Sequence, residues 1–353
     1  MNAQADAQPA VAGALASAQP LESRIAALIS ARQAGARDVQ VTGLKALTGG
    51  NARRAWAFDV VWADAAGTHQ LGCVLLGRIG AGQLEVDGRR EFETLWALKD
   101  TGLAVPRALW FDEDGAHLGM PGFVMERGAG RANLGELLKP DSTITGPLAG
   151  QLVSIAGQLH ALDWQAVMPS LAQGDSLHAS SSAPLAVLQQ WEAQFHKNRL
   201  EPLPALCSVF GWLHRRMPAP GRLAIVHGDL RLGNFLHDQG RITLLLDWEM
   251  AHLGDAMEDI AWAWRSMWSP EAFLPLQEAL PLYEKAAGHA VDPRRLAWYR
   301  IFSEAKFAVI SLTAARSFMD GATDNLRLAG RASKVSDCLR LALQWMNEED
   351  AVC

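Results

Sequence analysis

The sequence has few cysteines, and their spacing gives no sign of a metal site or a disulfide framework. Among 353 residues there are four. None of them forms a C-x-x-C pair or another metal-binding spacing. We therefore expect reduced thiols in a cytoplasmic protein. The four are Cys73, Cys207, Cys338 and Cys353.

Long hydrophobic runs are also missing, and no secretory leader is expected. Even the apolar stretch from Phe307 to Ala315 is short, and Lys306 and Arg316 bracket it, so we expect no membrane span. Residues 1–20 are rich in Ala, Gln and Pro and lack both a basic region and a long apolar segment. They predict a disordered tail and not a signal peptide.

An excess of basic residues is missing as well. The formal net charge is −6, which argues against a nucleic-acid partner and permits a cationic substrate without locating its site. What is present is typical of a globular protein, with 49% hydrophobic and 20% charged residues. The length exceeds one ordinary domain and suits two lobes that share a cleft.

A polar loop between predicted strands carries the residues best suited to chemistry. It follows a short apolar run and holds His227, Asp229 and Asn234. A second and a third strand follow the loop. The predicted strands are Leu223–Val226, Phe235–Asp238 and Ile242–Leu246.

The last two of these strands predict a hairpin around Gln239-Gly240, a turn with Gly where positive φ costs little. With that turn as its centre, residue 234 lies opposite residue 245, so we expect Asn234 and Asp247 at one end of the hairpin, about 5 Å apart. Mg²⁺ is usually held by one or two protein oxygen ligands together with substrate phosphates and waters. The pair therefore predicts a metal-nucleotide site.

Asp229 lies on the same loop and is not needed as a metal ligand. An Asp beside a metal-bound phosphate can orient a substrate hydroxyl and take its proton. Each fragment alone favours a purely structural role, because His-Gly-Asp is a common turn and an Asp often caps a buried strand. The ordered combination of His, Asp, Asn and Asp favours phosphoryl transfer.

The order His-Gly-Asp-x-x-x-x-Asn, followed by Leu-Asp-Trp-Glu, resembles the signature of the aminoglycoside phosphotransferase and choline kinase family. Phe302-Ser-Glu-Ala-Lys-Phe with Ala329-Gly330-Arg331 resembles the bacterial phosphotransferases related to domains fused to acyl-CoA dehydrogenases. The resemblance implies an α+β, protein-kinase-like fold of two lobes. Residues 21–127 would form a nucleotide-binding lobe of antiparallel sheet plus one helix, and residues 128–353 a mainly helical catalytic and acceptor-binding lobe.

The same resemblance implies ATP and Mg²⁺ as cofactors. Arg231, two residues after Asp229, matches a basic residue that can steady the transferring phosphoryl group. Gly49 and Gly50 match the loop over the nucleotide phosphates, although an ordinary hairpin turn would explain them equally well.

Three more small-lobe features follow from the resemblance. Gly77 occupies the place of the usual phosphate-contacting cation, so either Arg78 has taken over that role or the alignment slips by one residue. Glu91 matches the acidic partner of that cation, and it is also favoured in the first turn of a helix by the helix dipole. Backbone groups near Glu126 and Gly128 would bind the adenine.

The C-terminal half predicts mostly helices. Pro293 to Met319 and Ala332 to Met346 are expected as two long amphipathic helices that wall the acceptor pocket. Met257 to Trp268 is predicted as a helix, and residues 252–255 as a turn. Four aromatic residues of the first long helix either face the pocket or lie in the core: Tyr299, Phe302, Phe307 and Phe318.

Two buried-looking polar residues are expected to be structural. His160 predicts a hydrogen-bonded packing residue, since nothing near it has metal spacing. Asp259 matches the acidic residue that supports the catalytic loop in the family.

The predicted reaction is transfer of the ATP γ-phosphate to a hydroxyl of a small molecule, with a hydroxyacyl thioester or a related metabolite as the expected acceptor. An aminoglycoside is the alternative acceptor, and a catalytically silent nucleotide-binding regulator, suggested by Gly77, is the alternative function. Clustered carboxylates in the pocket would favour a polycation, whereas an apolar groove with basic rims would favour a coenzyme A thioester. Neither a nucleic-acid nor a membrane partner is expected.

Overall fold

The fold is that of a computed structural model, which describes residues 19–47, 54–77, 88–169 and 183–352. The tail predicted at residues 1–20 lies outside these residues, apart from positions 19 and 20. So do Gly49, Gly50 and Arg78. None of the helices in the described ranges combines the length and hydrophobicity that crossing a bilayer requires.

The first lobe is built on a five-stranded antiparallel sheet. One face of the sheet buries Phe58 and Val60 against Ile25 and Leu28 of the first helix. A second helix covers the sheet as well, so the lobe has two helices in its described part where the resemblance implied one. The elements are α1 (Leu21–Arg32), β1 (Arg37–Leu47), β2 (Arg54–Asp64), β3 (Gly67–Gly77), α2 (Gly88–Leu98), β4 (Ala108–Asp112) and β5 (Gly122–Glu126), with the sheet order β1-β2-β3-β5-β4.

The second lobe is mainly helical, as predicted. Its helices are α3 (Leu134–Leu137), α4 (Thr145–Ala161), α5 (Trp164–Val167), α6 (Ala183–Asn198), α7 (Pro204–Arg215), α8 (Met257–Ala263), α9 (Leu276–Ala287), α10 (Pro293–Met319), α11 (Leu326–Ala329) and α12 (Lys334–Val352). Its short strands are β6 (Ala224–Val226), β7 (Phe235–Asp238), β8 (Arg241–Leu245) and β9 (His252–Gly254), and single 3₁₀ turns occupy Trp248–Met250 and Gly330–Ser333. The lobe boundary at residues 127 and 128 stays a prediction.

Helix α10 runs through the middle of this lobe. Asp292 caps it by accepting the N–H groups of Arg294 and Arg295. The helix packs against α6, α8 and α12, and its central residues are buried on nearly all sides. The predicted amphipathic character is therefore wrong for α10, since a helix enclosed by others has no solvent face. It brings polar side chains, among them Lys306, into the core.

Two local predictions fail near the polar loop. Residues His252–Gly254 form a strand that pairs with β6, not a turn, because the pairing partner lies about thirty residues earlier and leaves no local signal. The helix predicted from Met257 to Trp268 ends at Ala263. There the Trp262 carbonyl accepts the Trp268 indole N–H at 2.7 Å, which turns the chain away from the helix axis.

Candidate active site

Residues 227–234 join β6 to β7, and we call them the Asp229 loop. Asp259 holds the backbone of this loop. The Asp259 carboxylate accepts the backbone N–H of His227 at 2.7 Å and that of Gly228 at 2.8 Å. His160 lies 3.1 Å from the same carboxylate and 3.0 Å from the Tyr283 hydroxyl. The predictions that Asp259 supports the loop and that His160 is a hydrogen-bonded packing residue are both borne out by these contacts.

The charge of Asp259 suits this role. Burial alone would raise the pKa of its carboxyl group, but the hydrogen bond and charge of His160, together with His227, outweigh burial and hold the pKa below its usual value. The carboxylate is fully buried. An ionised, fully bonded carboxylate of this kind fixes the loop backbone firmly.

His227 links the Asp229 loop to the end of β8. Its Nδ1 accepts the Asp229 N–H at 3.2 Å, so Nε2 carries the proton and donates to the Leu246 carbonyl at 2.9 Å. Burial lowers the pKa of His227 below its usual value, which agrees with a neutral ring. The imidazole therefore ties the segment that carries Asp229 to the residue directly before Asp247.

Gly228 is required by its conformation as well as by its surroundings. Its φ of 82° lies in the left-handed region. A Cβ at this position would also collide with the carbonyl of Met250. Only glycine allows the chain to turn this sharply before Asp229.

The carboxylate of Asp229 is held by three side chains. Oδ1 accepts the Trp262 indole N–H at 2.6 Å, and Oδ2 accepts Nδ2 of Asn234 at 2.6 Å. Arg231 Nε approaches both oxygens, at 3.2 and 3.3 Å. The Trp262 contact spans 33 positions of sequence, so no local pattern could have identified it.

Asn234 and Asp247 lie at one end of the β7–β8 hairpin, but the predicted register is wrong by one residue. Phe235, not residue 234, faces Leu245, because a bulge between Leu236 and His237 adds one residue to β8. Asn234 instead pairs with Leu246, whose N–H donates to the Asn234 carbonyl at 2.8 Å. Asp247 follows directly, with φ 61° and ψ 58°.

The donor set at this hairpin end fits a hard cation shared with phosphates. Both hydrogen bonds of the Asn234 side chain to Asp229 use Nδ2, so Oδ1 is the atom that can bind a cation. The Asp247 side chain is exposed to the cleft. Within the described ranges no three His, Cys, Asp or Glu side chains form a metal cluster, and two oxygen ligands match a metal-nucleotide site better than a structural metal site.

A cleft of about 1180 Å³ lies between the lobes and reaches the Asp229 loop. The sheet contributes Ala57 and Val74 on one side, and the β7–β8 hairpin contributes Leu236 and Leu244 on the other. Asn234 is buried behind Asp229, with 3% of its surface exposed. The cleft brings together six of the residues singled out by sequence: Glu91, Glu126, Gly128, Asp229, Arg231 and Asp247.

The segment that joins the lobes forms one edge of this cleft. The Glu126 N–H donates to the Arg107 carbonyl at 2.9 Å, and the Arg127 N–H donates to the Gly72 carbonyl at 2.9 Å. Gly128 follows, and a Cβ there would collide with Leu244 and crowd Leu236. Glu91 is 2% exposed and lines the cleft from α2; its predicted pairing with Arg78 stays a prediction.

The opposite end of the cleft has an apolar wall and a basic rim. Aromatic and aliphatic side chains form the wall, and Phe307 is the one predicted α10 aromatic that reaches it, whereas Tyr299 and Phe302 are core residues. Arg331 is partly buried there, and burial together with the nearby charge of Arg231 lowers the pKa of its guanidinium. The wall comprises Trp262, Met267, Trp268, Phe307 and Ile310, and the rim comprises Arg327, Arg331 and Lys334.

Proteins with related sequences carry acyl-CoA dehydrogenase names. Acyl-CoA dehydrogenase family member 10 of Mus musculus is 28% identical over 195 residues, which are 52% of this chain and 17% of that protein. Acyl-CoA dehydrogenase family member 11 of Homo sapiens is 28% identical over 182 residues, 49% of this chain and 22% of that protein. The chain thus spans less than a quarter of the length of these relatives.

Solved phosphotransferase structures share the architecture. A protein of Ralstonia eutropha, described provisionally as an aminoglycoside phosphotransferase, aligns with a TM-score of 0.70 and 18% identity over 92% of this chain and 98% of that one. The macrolide 2′-phosphotransferase of Brachybacterium faecium aligns with a TM-score of 0.56 and 18% identity, covering 88% and 97% of the two chains. At such identities these structures show the fold, and they confirm the predicted α+β, protein-kinase-like, two-lobed architecture.

A family model matches most of the chain. The model of the phosphotransferase enzyme family, APH, covers residues 52–299, which include the Asp229 loop and the hairpin. The match confirms the resemblance that the sequence motifs indicated. The chain belongs to the phosphotransferase enzyme family.

Proposed function

We propose that the protein transfers the γ-phosphate of ATP to a hydroxyl group of a small molecule. One observation carries the proposal: Asp229 and Asp247 line the same interlobe cleft, and Asn234 is hydrogen-bonded to Asp229 at the end of the hairpin that leads to Asp247. This arrangement supplies a base and two cation ligands within one site.

The proposed adenine site is the apolar slot near the interlobe segment. Ala57 and Val74 would cover one face of the base, and Leu236 and Leu244 the other. The Glu126 N–H is already bonded to Arg107, so the base would bind the Glu126 carbonyl and the Gly128 N–H. Bonds of this kind would not depend on the side chains at these two positions.

Asn234 and Asp247 would hold Mg²⁺ together with the nucleotide phosphates. When bound, the ion neutralises charge on the phosphate oxygens. Arg231, which stacks over Trp268 at 5.2 Å and contacts Asp229, is the proposed protein contact to the transferring phosphoryl group. The nucleotide-binding roles of Gly49, Gly50, Arg78 and Glu91 remain predictions.

Asp229 is the proposed general base. As the acceptor oxygen forms its bond to the γ-phosphorus, the bond from phosphorus to the bridging oxygen of ADP breaks, and the hydroxyl proton passes to the Asp229 carboxylate. Trp262 and Asn234 hold that carboxylate in place by hydrogen bonds of 2.6 Å each. Little reorganisation is then needed during the transfer.

For the acceptor we propose a hydroxyacyl thioester or a related anionic metabolite. The wall and rim at the far end of the cleft support this choice, because they combine apolar surface with Arg327, Arg331 and Lys334. Residues 307–334 contribute no carboxylate to the cleft lining within the described part of the chain, whereas a polycationic aminoglycoside would need one. The cytoplasm is the proposed setting, since Cys73, Cys207 and Cys338 are free thiols.

An acceptor screen tests the proposal. The purified chain is incubated with Mg-ATP and either hydroxyacyl thioesters or aminoglycosides, and phosphorylated products are detected by mass spectrometry. We expect magnesium-dependent phosphorylation of a thioester and none of the aminoglycosides. Phosphorylation of aminoglycosides alone would contradict the acceptor class, and ATP binding without transfer to any acceptor would favour the silent regulator.

A further inference from the structure

Lys306 is a buried cation that sequence motifs did not connect with the site. It lies in the middle of α10 and is 1% exposed. Its ammonium group donates to the Gly228 carbonyl at 2.6 Å and to Glu258 at 2.9 Å. Burying an ammonium group is costly unless it is paired and hydrogen-bonded, so the burial of Lys306 requires an explanation.

Glu258 explains part of the arrangement. It is 1% exposed and also contacts His252, at 3.2 Å. Burial would raise the pKa of the Glu258 carboxyl group, but the charges of Lys306 and His252 outweigh burial and lower it. The carboxylate is thus ionised and compensates the charge of Lys306.

Besides Glu258 and the ring of Trp191, 5.5 Å away, Lys306 has two contacts that point to Asp229. Gly228 is the residue directly before Asp229, so holding its carbonyl holds the backbone from which the Asp229 side chain projects. The ammonium nitrogen also lies 4.4 Å from the centre of the Trp262 ring. The N–H of that same ring donates to Asp229 at 2.6 Å. A cation over an indole face attracts the ring electrons, and coupled polar contacts of this kind strengthen one another.

We propose that Lys306 is a positioning residue, which fixes the Asp229 carboxylate through the Gly228 carbonyl and through the Trp262 ring. This inference rests on the proposed function of Asp229 as the base. An ion pair with Glu258 alone would need neither contact. The role differs from that of Asp259, which binds N–H groups of the loop and not the Gly228 carbonyl.

Two variants separate positioning from charge balance. Lys306→Met keeps the length of the side chain but leaves the buried Glu258 carboxylate with His252 as its cationic partner and without Lys306. The double variant Lys306→Met, Glu258→Gln removes both charges, and Glu258→Gln alone is its reference. If Lys306 positions Asp229, kcat falls about 10- to 100-fold in the double variant relative to Glu258→Gln, while KM for Mg-ATP stays within about twofold.

Recovery of the Glu258→Gln kcat in the double variant would overturn the proposal, because charge balance alone would then explain Lys306. Lys285→Met, at an exposed position of α9 away from the cleft, is the control and should keep wild-type kinetics. Exposed and buried lysines are thereby compared with the same substitution.

A second readout does not depend on activity. The indole N–H signal of Trp262 in a ¹⁵N-tryptophan sample, assigned with Trp262→Phe, should move in both Lys306 variants and stay in place in Lys285→Met. An unmoved signal in the double variant would overturn the positioning role even if transfer is efficient. If the signal moves but the wild-type protein phosphorylates no acceptor, the proposed function fails while the Lys306 contact stands.

Discussion

Asp229 is surrounded by side-chain donors that hold its carboxylate in place. Trp262, Asn234 and Arg231 all donate to it, so Asp229→Asn keeps the shape of the side chain but removes its charge and replaces one accepting oxygen with an NH₂ group. We expect Asp229→Asn to lower kcat by about 10²–10⁴-fold, because an amide cannot accept the hydroxyl proton. KM for Mg-ATP should change little, and the melting temperature should fall only modestly, because one accepting oxygen is lost.

Steady-state kinetics and thermal unfolding of the same preparation measure both parts of this prediction. Asp229→Asn with wild-type kcat would exclude Asp229 as the base. A large drop in melting temperature would instead give the residue a structural role.

We expect Arg331 to contribute to binding of the acceptor. It lies beside Arg231 on the basic rim, where a hydrogen-bonded ion pair with an anionic acceptor is worth about 1.5–3 kcal/mol. Arg331→Gln should therefore raise KM for an anionic acceptor by about tenfold or more, with KM for Mg-ATP unchanged. Arg294→Gln, an exposed position outside the cleft, is the matched control, and an unchanged acceptor KM in Arg331→Gln would argue for another orientation of the substrate.

At the scale of elements, the segment between the lobes packs closely against the β7–β8 hairpin. A Cβ at Gly128 would push the Leu244 and Leu236 side chains, which form one side of the proposed base slot. Overpacking of this kind costs about 1–3 kcal/mol. We expect Gly128→Ala to raise KM for ATP by about tenfold and to leave kcat nearly unchanged.

Gly135→Ala is the control for this substitution, since its Cβ would make only an ordinary contact with Asn133. Initial rates at varied ATP concentration distinguish the two variants. A fall in kcat without a change in KM would mean that the segment affects chemistry and not nucleotide binding.

The contact between β9 and α8 predicts a pH dependence of stability. His252 donates from Nδ1 to the Met250 carbonyl at 2.9 Å and from Nε2 to Glu258 at 3.2 Å, as only a protonated ring can. Burial would lower the pKa of His252, but Glu258 outweighs burial and raises it above its usual 6.5. A raised pKa in the folded state means that the stabilisation is complete below pH 6.5 and is lost as the pH rises through the folded-state value.

The melting temperatures of wild type and His252→Gln should therefore differ most below pH 6.5 and converge at higher pH. Scanning calorimetry from about pH 5.5 to 9 measures the difference. Both proteins carry His227, so its contribution to the pH dependence is the same in each and does not affect the difference. His289→Gln, at an exposed histidine, should show no such trend. A difference that stays constant or widens with rising pH would contradict the ion pair.

At the scale of the whole molecule, the cleft is formed by both lobes, so a nucleotide bound there would connect them. Ligand at 100 times its Kd stabilises a folded protein by about 2.7 kcal/mol. For a chain of this size that corresponds to a rise in melting temperature of roughly 4 °C. We expect Mg-ATP to produce such a rise, and Asp247→Ala to reduce it, because the charged cation ligand is lost.

Differential scanning fluorimetry with ATP, with Mg²⁺ and with both separates the contributions. No shift with Mg-ATP would contradict nucleotide binding in the cleft. An equal shift in wild type and Asp247→Ala would contradict the proposed role of Asp247 in metal binding.

The sequence by itself determined the local chemistry. Gln239 and Gly240 have φ values of 46° and 75°, as the predicted turn requires, because turn geometry depends on adjacent residues. The spacing of His227, Asp229, Asn234 and Asp247 likewise indicated the family, since one loop and one hairpin carry all four.

Only the tertiary structure decided what surrounds Asp229. The bulge at Leu236 shifted the register, and the contacts of Trp262 and Lys306 cross 33 and 78 positions of sequence. Arg331 reaches the cleft from yet another element. Such contacts leave no trace in local periodicity, because they depend on how helices and strands pack after each has formed its own backbone hydrogen bonds.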